Sequence, residues 1–267
     1  MHISKGSEYF RLKALAAGAM LMATSAAVNA AENSATDWEY GLSIYGWLPS
    51  LGGELSYAPP GASDDIYVDI DQILDSLKMT FMGSFEARKG PWSGFTDVIY
   101  LDLGGDGSKS VSVPDGSTRV LMDADLDITG WIWTLGGSYS VWREDKSHLD
   151  LLVGARMFYM DTELTLTGGG PRQRRHDLSD SVTHWDGIVG AKGRVSLDDR
   201  WFLPYYLDVG TGDTDLTWQA MVGVGYEFDW GEASLSYRYL EYDQDSDDGL
   251  LQNLDLGGVK LGVGFRF

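Results

Sequence analysis

From Trp38 to Phe267 the chain keeps returning to one pattern. A run of residues alternates apolar and polar side chains, then a turn closes it. Period-two alternation marks a β-strand whose two faces meet different surroundings. The runs are Trp38 to Trp47, Met79 to Lys89, Trp92 to Leu103, Leu121 to Arg143, His148 to Thr165, Asp180 to Leu197, Trp201 to Val209, Leu216 to Phe228, Ala233 to Tyr242 and Leu256 to Phe267. A tilted strand crosses a bilayer in roughly 9–11 residues, and each run has that length or close to it. No apolar stretch after residue 30 reads as a spanning helix, so any membrane crossing is made by strands.

The connections between runs alternate in length. Lys89-Gly90-Pro91, Arg143 to Ser147, Asp198-Asp199-Arg200 and Asp229-Trp230-Gly231 are short. Leu48 to Lys78, Gly104 to Val120, Leu166 to Ser179 and Asp243 to Gln252 are longer, and only Gly210 to Asp215 departs from the trend. In an up-and-down meander the two sets fall on opposite sides of the sheet. Short periplasmic turns and longer outside loops are the habit of bacterial outer-membrane barrels. The expected fold is therefore all-β: an antiparallel up-and-down transmembrane β-barrel of about ten strands, with 8 or 12 as neighbouring solutions. An even number returns both chain ends to the short-turn side. A periplasmic soluble β-sandwich or barrel is the alternative, and it would need partner sheets to bury all ten apolar faces.

The apolar faces begin or end in Trp or Tyr on most strands, as a lipid-facing band with aromatic girdles does. The opposite faces carry Gly, Ser, Thr and charges. Those charges are Glu86, Asp97, Asp150, Asp186, Asp208 and Glu227 against Arg88, Arg156, Lys192, Arg194, Arg238, Lys260 and Arg266. Six acids against seven bases is near balance, as a narrow lumen requires where an unpaired ion is penalised. We expect these side chains to form a lumen charge network. On the third run Asp97 shares its face with Phe95 and Ile99, which leaves that strand's orientation open.

The chain as a whole has a formal net charge of −20, so the acidic excess belongs to loops and ends. An acidic chain lacks the basic footprint of nucleic-acid binding. There is no cysteine, so no disulfide staples it. At the N-terminus, Lys5, Arg11 and Lys13 precede the apolar run Ala14 to Ala23, and Val28-Asn29-Ala30 follows. Charged start, short apolar middle and small-residue exit describe a secretory signal peptide. Residues 1–30 are thus expected to be cleaved, leaving 31–267 as one barrel domain.

The last run, LGGVKLGVGFRF, alternates up to its terminal Phe267 with Phe265 two residues before. It resembles the C-terminal signature of Gram-negative outer-membrane barrels. The whole span, including the stretches YGWLP and WFLPYYLDVGTG, is similar to small outer-membrane barrels of proteobacteria. The resemblance implies insertion by the barrel-assembly machinery, which reads that final strand, and residence in the cell outer membrane of a Gram-negative bacterium. It implies lipid and lipopolysaccharide as surroundings and carries no substrate. We expect a monomer with no cofactor and no nucleic-acid partner.

Several stretches stand outside the strand pattern. In Asp69 to Leu77, the residues Ile70, Ile73, Leu74 and Leu77 share one helix face, which predicts a short helix at the barrel mouth. Arg172, Arg174 and Arg175 form the basic cluster of a long loop and are candidates to grip lipopolysaccharide phosphate. Asp243 to Asp248 has calcium-loop composition, but Leu254 stands where an EF-hand needs its Glu. Asp123-x-Asp125 and His184-x-Asp186 echo the Asp pair and Asp–His pair of omptin-family outer-membrane proteases. In that chemistry a water is activated between carboxylates and a His. Here the His and Asp are in reversed order and the chain is shorter. Ser181 and His184 match no hydrolase motif, and neither Gly-x-Ser-x-Gly nor a zinc ligand set occurs. The functional expectation is a non-enzymatic barrel with a structural or narrow-pore role. A surface-loop binding protein is the alternative, and an omptin-like rim protease the minor one.

Overall fold

A computed structural model describes residues 37–55, 65–68, 70–112, 119–168, 174–243 and 251–267. The expected signal segment 1–30 lies outside the described residues, as do Asp69, Arg172 and 244–248 of the Asp-rich stretch. Chain order is β1 (Trp38–Leu55), β2 (Asp65–Val68), α1 (Ile70–Ser76), β3 (Leu77–Lys89), β4 (Trp92–Ser112), β5 (Arg119–Glu144), β6 (Ser147–Gly168), β7 (Arg174–Ser196), β8 (Trp201–Gly212), β9 (Leu216–Phe228), β10 (Gly231–Asp243) and β11 (Leu251–Arg266).

Every strand from β3 to β11 pairs antiparallel with its sequence neighbour, and β11 returns to pair with β1. With β1 also paired to β3, ten strands close into a barrel, and closure removes the sheet edges. The short β2 lies outside that count and pairs only with Leu51–Glu54 of β1. The terminal strand closes the ring from Gly41↔Arg266 to Leu55↔Leu251. Beyond it, Tyr40 and Phe267 exchange backbone bonds of 2.8 and 3.0 Å.

The start of β1 and the end of β11 thus sit with the tight turns. Gly90 takes a positive φ of 58° ahead of Pro91, and Asp145 takes 50° in the β5–β6 turn. Asp tolerates the left-handed region better than most residues because its short side chain bonds locally. In the β7–β8 turn, Asp198 Oδ1 accepts from the amides of Trp201 (2.7 Å) and Arg200 (2.8 Å). Those donors hold the Asp198 carboxyl below its ordinary range.

On the loop side β4 to β7 run longer than their alternation. Gly104–Ser112 pairs with Arg119–Asp127, although the sequence there is polar and irregular. Backbone pairing needs no apolar face, so the ladder runs on past the alternating residues. Arg174 and Arg175 correct an expectation in the same way: they belong to β7, opposite Gly168 and Thr167, rather than to a loop.

The apolar faces point outward. Val153 is 63% exposed, and Leu151, Val189, Leu207, Val222, Leu235 and Leu261 are exposed beside it. In water such a belt would be far larger than a soluble monomer tolerates. A soluble sandwich or barrel, with its apolar faces turned inward, is therefore ruled out. Aromatic contacts border the belt on both sides. Tyr100–Trp131 (4.4 Å) and Trp218–Tyr239 (5.0 Å) lie towards the loops, and Trp92–Tyr139 (4.7 Å), Trp201–Tyr226 (4.9 Å) and Tyr40–Phe267 (5.8 Å) lie towards the turns. Trp131 and Tyr139 of β5 are eight residues apart. That is about 26 Å along a strand at ~3.3 Å per residue, or ~20 Å along the membrane normal at a tilt of ~40°.

One seam is incomplete. β1 and β3 pair only from Trp38↔Lys89 to Ile44↔Gly83, after which the ladder stops. Above that point the Trp47 amide donates to the Met82 sulfur at 3.1 Å, where a strand would offer a carbonyl. Pro49 follows on the same edge of β1, with no amide to donate. Helix α1 packs against β1 and β4, the strands flanking β3, with Ile73 8% exposed.

Candidate functional site

The lumen is the place where polar chemistry gathers, and it has two halves. The half nearer the turns and chain ends is ionic. Glu86 accepts from Arg88 at 2.7 Å and from Lys192 at 2.8 Å. Arg88 also pairs with Asp150 and donates to Ser140 Oγ at 2.8 Å, and Ser140 donates to Asp150 at 2.5 Å. Arg194 bridges Glu227 (2.5 Å) and Glu232 (3.0 Å), and Arg266 reaches Glu232 at 2.9 Å. Five of these pairs join strands that are not neighbours in the sheet, so they tie the wall together across the lumen.

Deeper, two arginines cross the barrel. Arg238 donates to Asp97 Oδ1 at 3.1 Å, to Gln219 Oε1 at 2.6 and 3.0 Å, and to Tyr45 Oη at 3.3 Å. Tyr45 in turn donates to Asp97 Oδ2 at 2.7 Å. Arg156 pairs with Asp208 and donates to Thr217 Oγ1 at 3.3 Å and Thr134 Oγ1 at 3.4 Å. The side chains of Arg156 and Asp208 are both 0% exposed. Asp186 is buried on the same side and accepts from the Thr214 amide at 3.0 Å. Lys260 lies over the Tyr45 ring at 3.8 Å and reaches Met221 Sδ at 4.0 Å.

Towards the loop side the lumen turns apolar, which corrects the expectation that the inward face is Gly, Ser, Thr and charge throughout. Trp47, Met82, Ile99, Ile132, Phe158, Leu240, Tyr242, Leu254 and Leu256 form one buried cluster. The change comes at one level on several strands. Inward rows read Asp97 then Ile99 on β4, Thr134 then Ile132 on β5, Arg156 then Phe158 on β6, and Arg238 then Leu240 on β10. Asp97, Phe95 and Ile99 all face inward, which settles the orientation of β4.

Thirteen polar-face charges were singled out from the sequence, and the barrel brings them into this lumen or its turn-side mouth. Glu232, Lys146, Tyr45 and Gln219 belong to the same networks and were missed. Glu232 was within reach of the pattern, since it keeps the parity of Ser234, Ser236 and Arg238 on β10.

The pairs that echoed a rim protease do not converge. Asp125 lies opposite Thr165, whose β7 partner is Asp177. His184 lies opposite Phe158, seven residues further along β7, or about 23 Å at ~3.3 Å per residue. His184 stacks on Phe158 with ring centroids 6.4 Å apart. Ser181 faces outward and His184 inward, so they share no face either. Among the described residues no group of three or more His, Cys, Asp or Glu side chains is arranged to hold a metal.

Fold and surface together define a transmembrane β-barrel of the outer-membrane kind. Even-stranded antiparallel barrels with short turns beside both chain ends belong to the Gram-negative outer membrane. No protein-family model matches the chain, and no curated protein matches it. Among solved structures, the outer membrane protease OmpT from Escherichia coli is similar with a TM-score of 0.51 at 10% identity, over 89% of this chain and 99% of that one. At that identity the likeness concerns the fold alone. The translocator domain of the autotransporter NalP from Neisseria meningitidis matches at a TM-score of 0.38 and 16% identity, over 97% of this chain and 98% of that one. The attachment invasion locus protein Ail of Yersinia pestis matches at 0.36 and 12%, over 87% of this chain and 100% of that one.

Proposed function

We propose that this chain is a non-enzymatic outer-membrane barrel with a sealed lumen and a structural role in the envelope. One observation carries the reading. Among the described residues, Arg238–Asp97 reaches across the lumen and Arg156–Asp208 bridges two strands that flank a third, both beneath a buried apolar layer that interrupts the polar lining. On this reading a narrow pore would need water to pass through that apolar layer. On this reading residues 1–30 are the export leader and 31–267 the barrel. The assembly machinery reads the strand ending in Phe265 and Phe267, and the mature protein sits as a monomer among lipid and lipopolysaccharide. Arg174 and Arg175 open β7 at its loop-side end, and with Arg172 beside them in sequence they form the basic stretch that would meet lipopolysaccharide phosphates.

Planar-bilayer recording tests the seal. The refolded protein is expected to add no conductance steps above the bare bilayer. Steady single-channel steps from the wild-type chain would overturn the sealed reading.

A further inference from the structure

We propose that the turn-side half of the lumen is a binding site for a small oxyanion, a phosphate or short carboxylate, anchored by Lys260. A cavity of about 250 Å³ lies there, between the Asp97–Arg238 layer and the Glu232–Arg266 mouth. At ~30 Å³ per water it has room for an ion of this size and some of its hydration. Four cations line it, and three have a carboxylate in the same wall. Lys192 pairs with Glu86 at 2.8 Å, Arg238 with Asp97 at 3.1 Å, and Arg266 with Glu232 at 2.9 Å.

Lys260 is the cation left over. Among the described residues no carboxylate lies within 4.0 Å of its Nζ; it rests on a tyrosine face and beside a thioether, and the carboxylate that acts on it, Asp97, is already bonded by Arg238 and Tyr45. Those contacts orient an ammonium without neutralising it. A cation held inside a membrane-embedded barrel calls for a counter-charge, because desolvation penalises an unpaired ion. The ring charges leave one positive charge in excess, and the hydroxyls of Ser43 and Ser84 line the same space as donors. The mouth includes Gly41, Gly264 and Arg266, beside both chain ends, so the ion would enter from the periplasm. The site needs only the cavity and its charges, and it stands whether or not the barrel conducts.

Thermal unfolding of the full chain in detergent, followed by tryptophan fluorescence, tests the site. Sodium chloride is replaced stepwise by sodium phosphate, or in a second arm by sodium succinate, at constant ionic strength. The midpoint is expected to rise saturably with one of the two, and the arm that saturates at lower concentration assigns phosphate or carboxylate. In Lys260→Met the concentration needed is expected to increase at least tenfold. The midpoint in chloride should hold or rise, since an unpaired charge has been removed. Lys260→Arg is expected to keep the response. Should Lys260→Met fail to refold, Lys260→Gln replaces it with the same expectation. An equal response in wild type and variant, or no saturable response to either oxyanion, would overturn the proposal.

Discussion

A guanidinium with no exposed surface, such as Arg156, survives inside a membrane protein only when its donors are taken up. Asp208, Thr217 and Thr134 do so here. The pair need not stabilise the barrel, because the cost of dehydrating two ions can exceed their attraction. Breaking it is another matter. Arg156→Ala leaves Asp208 buried and alone, and we expect a loss of about 3–5 kcal/mol. Arg156→Met with Asp208→Leu removes both charges and is expected to be neutral or more stable. Urea titration of folding into lipid vesicles measures both, and a double variant as weak as the single one would show that the pair itself stabilises. The sequence made the inward parity of Arg156 and Asp208 legible, because each opposes an apolar neighbour on its strand. Their pairing was not legible. They are 52 positions apart, and Arg238 and Asp97 are 141 apart. Alternation says which face a residue takes and is silent on which strands curl to meet across a lumen.

At the scale of elements, strands were readable wherever lipid imposed two faces, and their extensions above the membrane were not. The β1–β3 seam is a different case, since its sequence signal was present but unread. On β1 the even residues bond towards β11, as Tyr40 does with Phe267, so the odd ones bond towards β3. Pro49 is odd, and its missing amide would face β3. The ladder has already stopped at Ile44↔Gly83. Paired cysteines test this cleanly in a chain that has none of its own. Leu42 and Phe85 are directly opposite, so Leu42→Cys with Phe85→Cys is expected to oxidise to a disulfide in high yield. Leu48→Cys with Met79→Cys would be opposite if the register ran on. Having parted, this pair is expected to stay reduced, as read by thiol alkylation and intact mass. Equal oxidation of both pairs would mean that the seam is zipped.

The molecule as a whole combines a soluble protein's core with a membrane protein's skin. Outside, the aliphatic belt meets lipid between two aromatic borders. Inside, the loop-side half is packed and apolar like an ordinary core, and the turn-side half is ionic with a cavity. The signal for this division lies in the inward rows, where polar residues give way to Trp47, Ile99, Ile132, Phe158 and Leu240 at one level. Read strand by strand, each row was merely the less apolar face, and only alignment of the registers shows the layer. The division makes a directional forecast. In a cysteine-free background, Ser43→Cys lines the cavity and is expected to react with a membrane-impermeant maleimide supplied on the periplasmic side. Ile132→Cys and Leu240→Cys lie in the apolar layer, where their parents are 6% and 0% exposed. They are expected to resist the reagent from either side until the barrel is unfolded in detergent and heat. Labelling of Ile132→Cys from the outer side in the folded protein would mean that water reaches the layer, and the lumen would then have to be regarded as open.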